Sequence, residues 1–303
     1  MKEEHPVLNR LGAAIDRHCV GLSSDTAVPR LSVVAVVDPI EPVDLLYEPM
    51  ICFVTGGRKR ITAGELVQFA GPGEMMLTAI EVPVTVALEQ VPYRSAVMRL
   101  DGNALTDLLV ELDETGHTAP SATVGQISAP MPPELLDAVV RWVELLDAPE
   151  DIRPLAGRIE GEILYRLLRG SLGPVLRQWS VADSAATRVR AAARWIRARY
   201  TEPLSIDEIA EVAHMSAASL HRHFKAATGM SPLRYQKHLR LQEARRRLVA
   251  DDATAAQIAQ AVGYVSATQF NREYRTAYGL PPVQDGARLR ARLTRTGPAP
   301  TGL

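Results

Sequence analysis

Between residues 30 and 100 the apolar positions come in short runs rich in β-branched side chains: Leu31–Val37 and Ile51–Thr55, then Ile61–Thr62, Leu66–Phe69, Met75–Ile80, Val84–Leu88 and Ala96–Leu100. Gly56-Gly57, Ala63-Gly64, Gly71-Pro72-Gly73 and two Val-Pro steps turn or break the chain between them. Short strands at this spacing predict a sandwich or small barrel. No long helical pattern separates them, which argues against a parallel α/β sheet. After Leu100 the period changes. Asp101–Glu114 reads as a helix and Thr115–Pro130 as a polar loop. Pro132-Pro133 opens a helix carrying Leu135, Leu136, Val139, Val140, Val143 and Leu146 at helical spacing. A further helix follows with Ile152, Leu155, Ile159, Ile163, Leu167 and Leu168, interrupted at Gly170–Pro174, and a short helical piece ends near Trp179. These helices are expected to cover the sheet, with the pairing of two chains through one of them as an alternative.

From Ser184 onward one stretch repeats another at an offset of 50 residues. Leu220, Arg222, Phe224, Lys225, Gly229 and Pro232 correspond to Phe270, Arg272, Tyr274, Arg275, Gly279 and Pro282. Each copy follows a short amphipathic helix opened by a capping box, Ser205 with Glu208 and Thr254 with Gln257. His214-Met215-Ser216 breaks the first copy and Gly263-Tyr264-Val265-Ser266 the second. A short helix, a tight turn and a second helix capped by serine form the helix-turn-helix signature, here present twice. Between the copies, Ser231 and Pro232 open a helix to about Leu248, on the order of 25 Å long. That length suits two recognition helices set near one turn of B-DNA apart, roughly 34 Å.

The net charge of −1 hides a division. Residues 181–303 hold 19 of the 34 Lys and Arg but only 10 of the 35 Asp and Glu, which gives +9 there and −10 in the first 180 residues. A basic half points to a polyanion partner, double-stranded DNA given the paired motifs. Leu220 and Phe224, like Phe270 and Tyr274, are spaced to bury against the preceding helix. Ala217, Ala218, His221 and Arg222, with Ala267, Thr268, Gln269, Asn271 and Arg272, then fall where base edges would be read. Lys225 and Arg275, together with Ser216 and Ser266 at the helix starts, are the candidates for phosphate.

These residues resemble a known family. SLHRHFKAATGMSPLRY, RLQEARRRL and IAQAVGYVSATQFNREYRTAYGLPP, within Leu204 to Pro282, look like the AraC/XylS-type DNA-binding domain, a seven-helix module with two helix-turn-helix units. The resemblance implies base reading from the helices after Ser216 and Ser266. Tyr278 and Pro281 depart from the usual Phe and Ser, and Ala218 and Ala267 offer fewer base contacts than the larger residues of some members. YEPMICFVTGGRKRITAGELVQFAGPGEMMLTAIEVPV with PYRSAVMRLD is similar to the cupin-like N-terminal domain of one subset of these regulators, and WVELLDAPEDIRPLAGRIEGEILYRLLRG to that subset's connecting segment. The implied fold is α+β multidomain: a cupin-like β-barrel for sensing or dimerisation over 1–125, connecting helices over 126–182 and an all-α double helix-turn-helix domain over 183–285; residues 286–303, with Arg288, Arg290, Arg292 and Arg295 among Gly, Pro, Ala and Thr, read by composition as a basic flexible tail.

The expected function is therefore a sequence-specific transcriptional regulator, an activator by family habit. Its barrel would sense a small organic effector or dimerise. The partners are DNA, the effector, a second copy of the chain as homodimer, and RNA polymerase as one open to such a regulator. A metal-dependent cupin enzyme with a DNA-binding appendage is one alternative; a constitutive DNA-binding protein whose barrel only dimerises is another. Against the enzyme, His5, His18 and His117 are the only histidines before residue 181 and none is paired at ligand spacing. No phosphate loop, dinucleotide fingerprint or G-x-S-x-G occurs, Glu65, Glu74 and Glu81 are scattered, and Cys19 and Cys52 stand alone. No metal, cofactor or catalytic residue is expected. With no signal peptide and no apolar run near the roughly 20 residues that span a bilayer, a soluble cytoplasmic protein without a membrane partner is expected.

Overall fold

The computed structural model describes residues 6–112, 126–180 and 184–296. His5, His117 and most of the expected loop from Thr115 lie outside these. The described chain divides into two compact units, the first running to Arg190 and including Ala226–Gly229, the second comprising Ala191–Lys225 and the residues from Met230 on.

The first unit opens with helix α1 (Pro6–His18), followed by strands β1 (Ser23–Asp25), β2 (Leu31–Val36), β3 (Val43–Tyr47), β4 (Met50–Ala63), β5 (Leu66–Ala70), β6 (Glu74–Thr78) and β7 (Val82–Arg99). Helix α2 (Gly102–Glu111), strand β8 (Gln126–Pro130) and helices α3 (Pro133–Glu144), α4 (Pro149–Arg169) and α5 (Gly173–Ser180) complete it. Every pairing is antiparallel, in the order β1-β2-β7-β4-β6-β8, with β3 on β7 and β5 on β4. Among the described residues this path has two ends, so the sheet is open, where the sequence suggests a closed barrel.

Two long strands replace runs that the sequence suggests are separate. β4 continues through Gly56-Gly57 and β7 through Val91-Pro92, and shifts of register between Val54 and Lys59 absorb the irregularity. Gly57 is obligatory at this bend: its φ is +69°, and a Cβ there would lie 2.4 Å from the Gln90 carbonyl oxygen. β8 occupies the end of the segment read as a loop, where it pairs with β6 from Glu74↔Pro130 to Thr78↔Gln126.

One face of the sheet packs against helices. Ile51, Phe53, Met75, Leu77, Ala96 and Met98 meet Leu11 and Ile15 of α1, Leu135, Val139 and Trp142 of α3, and Leu164 and Leu167 of α4 in one core. Trp179 of α5 joins them and donates its indole N–H to the Ala79 carbonyl at 2.7 Å. The dominant stabilisation is apolar area removed from water, about 25 cal/mol per Å².

Helix α6 (Ala185–Ala198) carries the division, and the second unit continues with α7 (Ile206–Val212), α8 (Ala217–Thr228), α9 (Pro232–Ala250), α10 (Ala255–Ala261), α11 (Ala267–Tyr278) and α12 (Pro282–Thr296). The chain stays helical to Thr296, in place of the basic flexible tail suggested from Gly286. The reason is docking. Asp285 is fully buried, a Cβ on Gly286 would meet the Leu248 carbonyl oxygen at 3.0 Å, and the Arg290 guanidinium donates to that same oxygen at 2.6 Å.

Candidate nucleic-acid interface

Each short helix of the second unit begins with a complete capping box. The Ser205 hydroxyl accepts from the Glu208 N–H at 3.2 Å while the Glu208 carboxylate accepts from the Ser205 N–H at 3.1 Å. Thr254 and Gln257 do the same at 3.3 and 2.9 Å. Each short helix ends on a left-handed residue, His214 with φ +48° and Gly263 with φ +90°. The amide of the next residue then reaches back, Met215 to the Ala210 carbonyl and Tyr264 to that of Ala259, both at 2.9 Å. Only glycine serves at 263, because a Cβ would stand 2.2 Å from the Thr201 carbonyl oxygen. The second turn is one residue longer than the first, and the added residue is the fully exposed Val265.

The longer helix of each pair starts at a serine. Ser216 Oγ accepts from the Ser219 N–H and Ser266 Oγ from the Gln269 N–H, each at 3.3 Å. A hydroxyl that accepts in a cap retains its own O–H to donate. Leu220, Phe224, Phe270 and Tyr274 are all fully buried. Phe224 stands edge-on to Tyr235 of α9 at 5.3 Å between centroids, and Phe270 likewise to Tyr264. These anchors turn the opposite face outward. Ser216, Ala218, His221, Arg222 and Lys225 are exposed on α8 and its cap, with Ala217 half-buried; Ser266, Ala267, Thr268, Gln269, Asn271, Arg272 and Arg275 are exposed on α11 and its cap.

The two faces differ in electrostatics. On α8 the Arg222 guanidinium lies 3.3 Å from His223 Nε2, and burial, then the Arg222 charge, hold the His223 pKa below its ordinary value. On α11 the corresponding position is Glu273, which accepts from Gln269 at 3.2 Å and from the Tyr264 hydroxyl at 2.9 Å, and sits 3.5 Å from Lys237. Burial works against that carboxylate, but these donors outweigh it and lower its pKa. The Gln269 side chain is thereby oriented by Glu273.

α9 separates the two pairs with 19 residues, about 28 Å of helix. Its far end is clamped by Asp285, a residue that sequence reasoning passes over. The buried carboxylate accepts from Arg245 of α9 at 2.9 Å, from the Tyr274 hydroxyl of α11 at 2.9 Å and from Arg288 at 3.0 Å. Its pKa is lowered: burial opposes the charge, and Arg245 first, then Tyr274 and Arg288, overcome it. Three helices thus meet on one ion, which fixes α11 relative to α9.

Among the described residues no group of three or more His, Cys, Asp and Glu is placed to hold a metal ion, and no helix is long and apolar enough to cross a membrane.

Comparison with known proteins matches residues 27–175 to the family described as AraC-type transcriptional regulator N-terminus, and residues 209–287 to a helix-turn-helix domain. The HTH-type transcriptional activator RhaS of Pectobacterium carotovorum subsp. carotovorum is 32% identical over 136 residues, 45% of this chain and 47% of that protein. RhaS of Pectobacterium atrosepticum is 36% identical over 94 residues, 31% of this chain and 34% of the other. The chain spans about half the length, or less, of these curated relatives. An apo ToxT variant from Vibrio cholerae shares the fold with a TM-score of 0.52 at 8% identity, covering 87% of this chain and 98% of that one.

Proposed function

Given that the chain belongs to the AraC-type transcriptional regulators, with matches to both an N-terminal and a helix-turn-helix family model, we propose that it controls transcription by binding double-stranded DNA through α8 and α11 in successive major grooves. The observation that carries this reading is the pair of equivalent exposed faces, each presenting an arginine, Arg222 or Arg272, and one helical turn on a second cation, Lys225 or Arg275. The N-terminal residues of each helix meet base edges, and the arginines reach guanine O6 and N7 bidentately. Lys225 and Arg275, farther from the helix start, meet phosphate. The sheet unit regulates this module as a sensor of a small effector, as a dimerisation surface, or both, and the protein acts as a regulator rather than an enzyme.

Selection of genomic DNA by the full-length protein, followed by footprinting, tests the proposal. The expected site covers roughly two helical turns per chain with two short motifs about ten base pairs apart. A single motif per chain, insensitive to substitution on α11, would overturn the double-reader geometry.

A further inference from the structure

Strand β4 carries a thiol and an amine that meet. Lys59 is fully buried, and its Nζ donates to Cys52 Sγ at 3.2 Å. Seven residues of straight strand would span about 23 Å, so contact between Cys52 and Lys59 on one strand means that β4 folds back on itself. The register shifts between Val54 and Lys59 reverse the alternation of faces, which brings both side chains to the same interior. Cys52 Sγ also lies 3.5 Å from the Tyr93 hydroxyl, and the Tyr47 and Tyr93 ring centroids stand 5.6 and 5.7 Å from Nζ.

These four groups compensate one another. Burial works against the Lys59 ammonium, but the charges of Cys52, Tyr47 and Tyr93 outweigh it and hold its pKa well above the ordinary value. Burial first, and then the Cys52 charge, raises the pKa of Tyr93, so that hydroxyl keeps its proton for donation. The balance at Lys59 depends on the charge of the sulfur. Oxidation of Cys52 to a neutral sulfenic acid removes the first of the opposing charges, and burial then favours the neutral amine. A neutral amine is a nucleophile, and a sulfenic sulfur is an electrophile that condenses with a thiol or a nitrogen. Cys19, the other cysteine of the chain, packs against the helix-covered core instead, which leaves Lys59 as the partner at hand.

We propose that Cys52 and Lys59 are a modification site at which hydrogen peroxide drives closure of a covalent sulfenamide bond between Sγ and Nζ within β4. The Cys52 thiolate attacks one peroxide oxygen, the O–O bond breaks, and the departing hydroxide takes a proton from the Lys59 ammonium to become water. The Tyr93 hydroxyl stands beside the sulfur to donate to that departing oxygen. The amine then attacks the sulfenic sulfur: the S–N bond forms, the S–O bond breaks, and hydroxide leaves with an amine proton as a second water. The sulfur gives up two electrons and the peroxide takes the same two. Holding the reacting atoms 3.2 Å apart confers the advantage of an intramolecular reaction, and the flexible lysine stem closes the remaining distance. The pairing of β4 is interrupted beside the sulfur, where local opening admits a molecule little larger than water. The site stands on the geometry of β4 and is independent of the DNA-binding reading.

The test treats the full-length protein with hydrogen peroxide, from equimolar to large excess, and reads the tryptic peptides by mass spectrometry. In the parent the new bond blocks cleavage after Lys59, so the peptide that holds Cys52, which begins at Leu31, is recovered joined to Lys59-Arg60 with two hydrogens lost. Dithiothreitol, which attacks the oxidised sulfur, restores cleavage. Cys19→Ser gives the same linked peptide. Lys59→Met fills the volume without the amine, so Cys52 in this variant carries one or more added oxygens and no link. The variant is expected to fold, since replacing a buried ion by an apolar isostere is often neutral or stabilising; should it fail to, the linked peptide of the parent and its release by dithiothreitol decide alone. Added oxygens on Cys52 of the parent without a link, an oxygen retained between sulfur and nitrogen, a disulfide of Cys52 with Cys19, or Cys52 unmodified at every dose would each overturn the proposal.

Discussion

Replacing Asp285 with alanine removes at once the carboxylate that three donors share. Arg245 and Arg288 lose their acceptor at 2.9 and 3.0 Å, and the Tyr274 hydroxyl loses its acceptor at 2.9 Å. Hydrogen bonds to charged groups contribute about 1.5–3 kcal/mol each, but the three share one ion and do not add. Truncating one partner of a buried pair costs about 3–5 kcal/mol. The lower end applies here, because Arg288 retains 39% side-chain exposure and turns to water, while Arg245 at 17% is largely trapped. For a unit of this size about 3 kcal/mol lowers its melting temperature by about 12–24 °C. Calorimetry of the full-length protein resolves the transition of the helical unit from that of the sheet unit, and hydrogen exchange assigns the loss to α11 and α12. A fall of less than about 4 °C, equivalent to about 1 kcal/mol, would refute the clamp. The pH dependence supplies an independent check. The folded carboxylate has a lowered pKa, so its contribution is complete above the unfolded value near 3.9 and is lost as the pH falls through the lower folded value. Asp285→Asn, which cannot titrate, therefore shows a constant deficit from neutral pH down to about 4 and converges on the parent below it.

Three further substitutions separate the roles assigned above. Arg222→Ala is expected to cost about 1–3 kcal/mol at the selected DNA site and to relax preference at one base pair; equal weakening on all sequences, measured by competition binding, would make it a phosphate contact instead. Lys225→Ala should weaken binding evenly and reduce the slope of log K against log salt by about 1, so an unchanged slope contradicts the phosphate role. Gly57→Ala forces a side chain into a left-handed conformation against the Gln90 carbonyl. It should destabilise the sheet unit by at least about 2 kcal/mol, and a calorimetric transition within about 1 kcal/mol of the parent would show that the bend relaxes.

The helical unit was legible in the sequence because its determinants are local. Both capping boxes, the serines that start α8 and α11, and the i, i+4 anchors Leu220/Phe224 and Phe270/Tyr274 specify helix ends and inward faces within a few residues of themselves. Asp285 escaped because its burial depends on Arg245, 40 residues earlier, and on the hydroxyl of Tyr274. In a chain read residue by residue it resembles any acid in a basic, solvated segment. The same limit explains why Gly286 onward suggested a tail: its helix is held by the Leu248 carbonyl and by Asp285, not by its own composition.

The sheet was legible in its class and not in its closure or its interior, and one local feature accounts for the second failure. Alternation along a strand assigns faces only while the register holds. In β4 it assigns Cys52 and Lys59 to opposite faces, since they are an odd number of residues apart. The shifts between Val54 and Lys59 reverse that assignment, and the fold of the strand then brings the two side chains to 3.2 Å. A lysine in the run GGRKRIT reads as one of three solvated cations around a turn. Arg58 is indeed exposed and Arg60 half-buried, yet the lysine between them is fully enclosed. What selects Lys59 is the parity change at Gly56-Gly57, so an insertion or deletion that restores simple alternation at the bend should expel the ammonium to solvent. The enclosed ammonium and the strained glycine are thus two consequences of one irregularity.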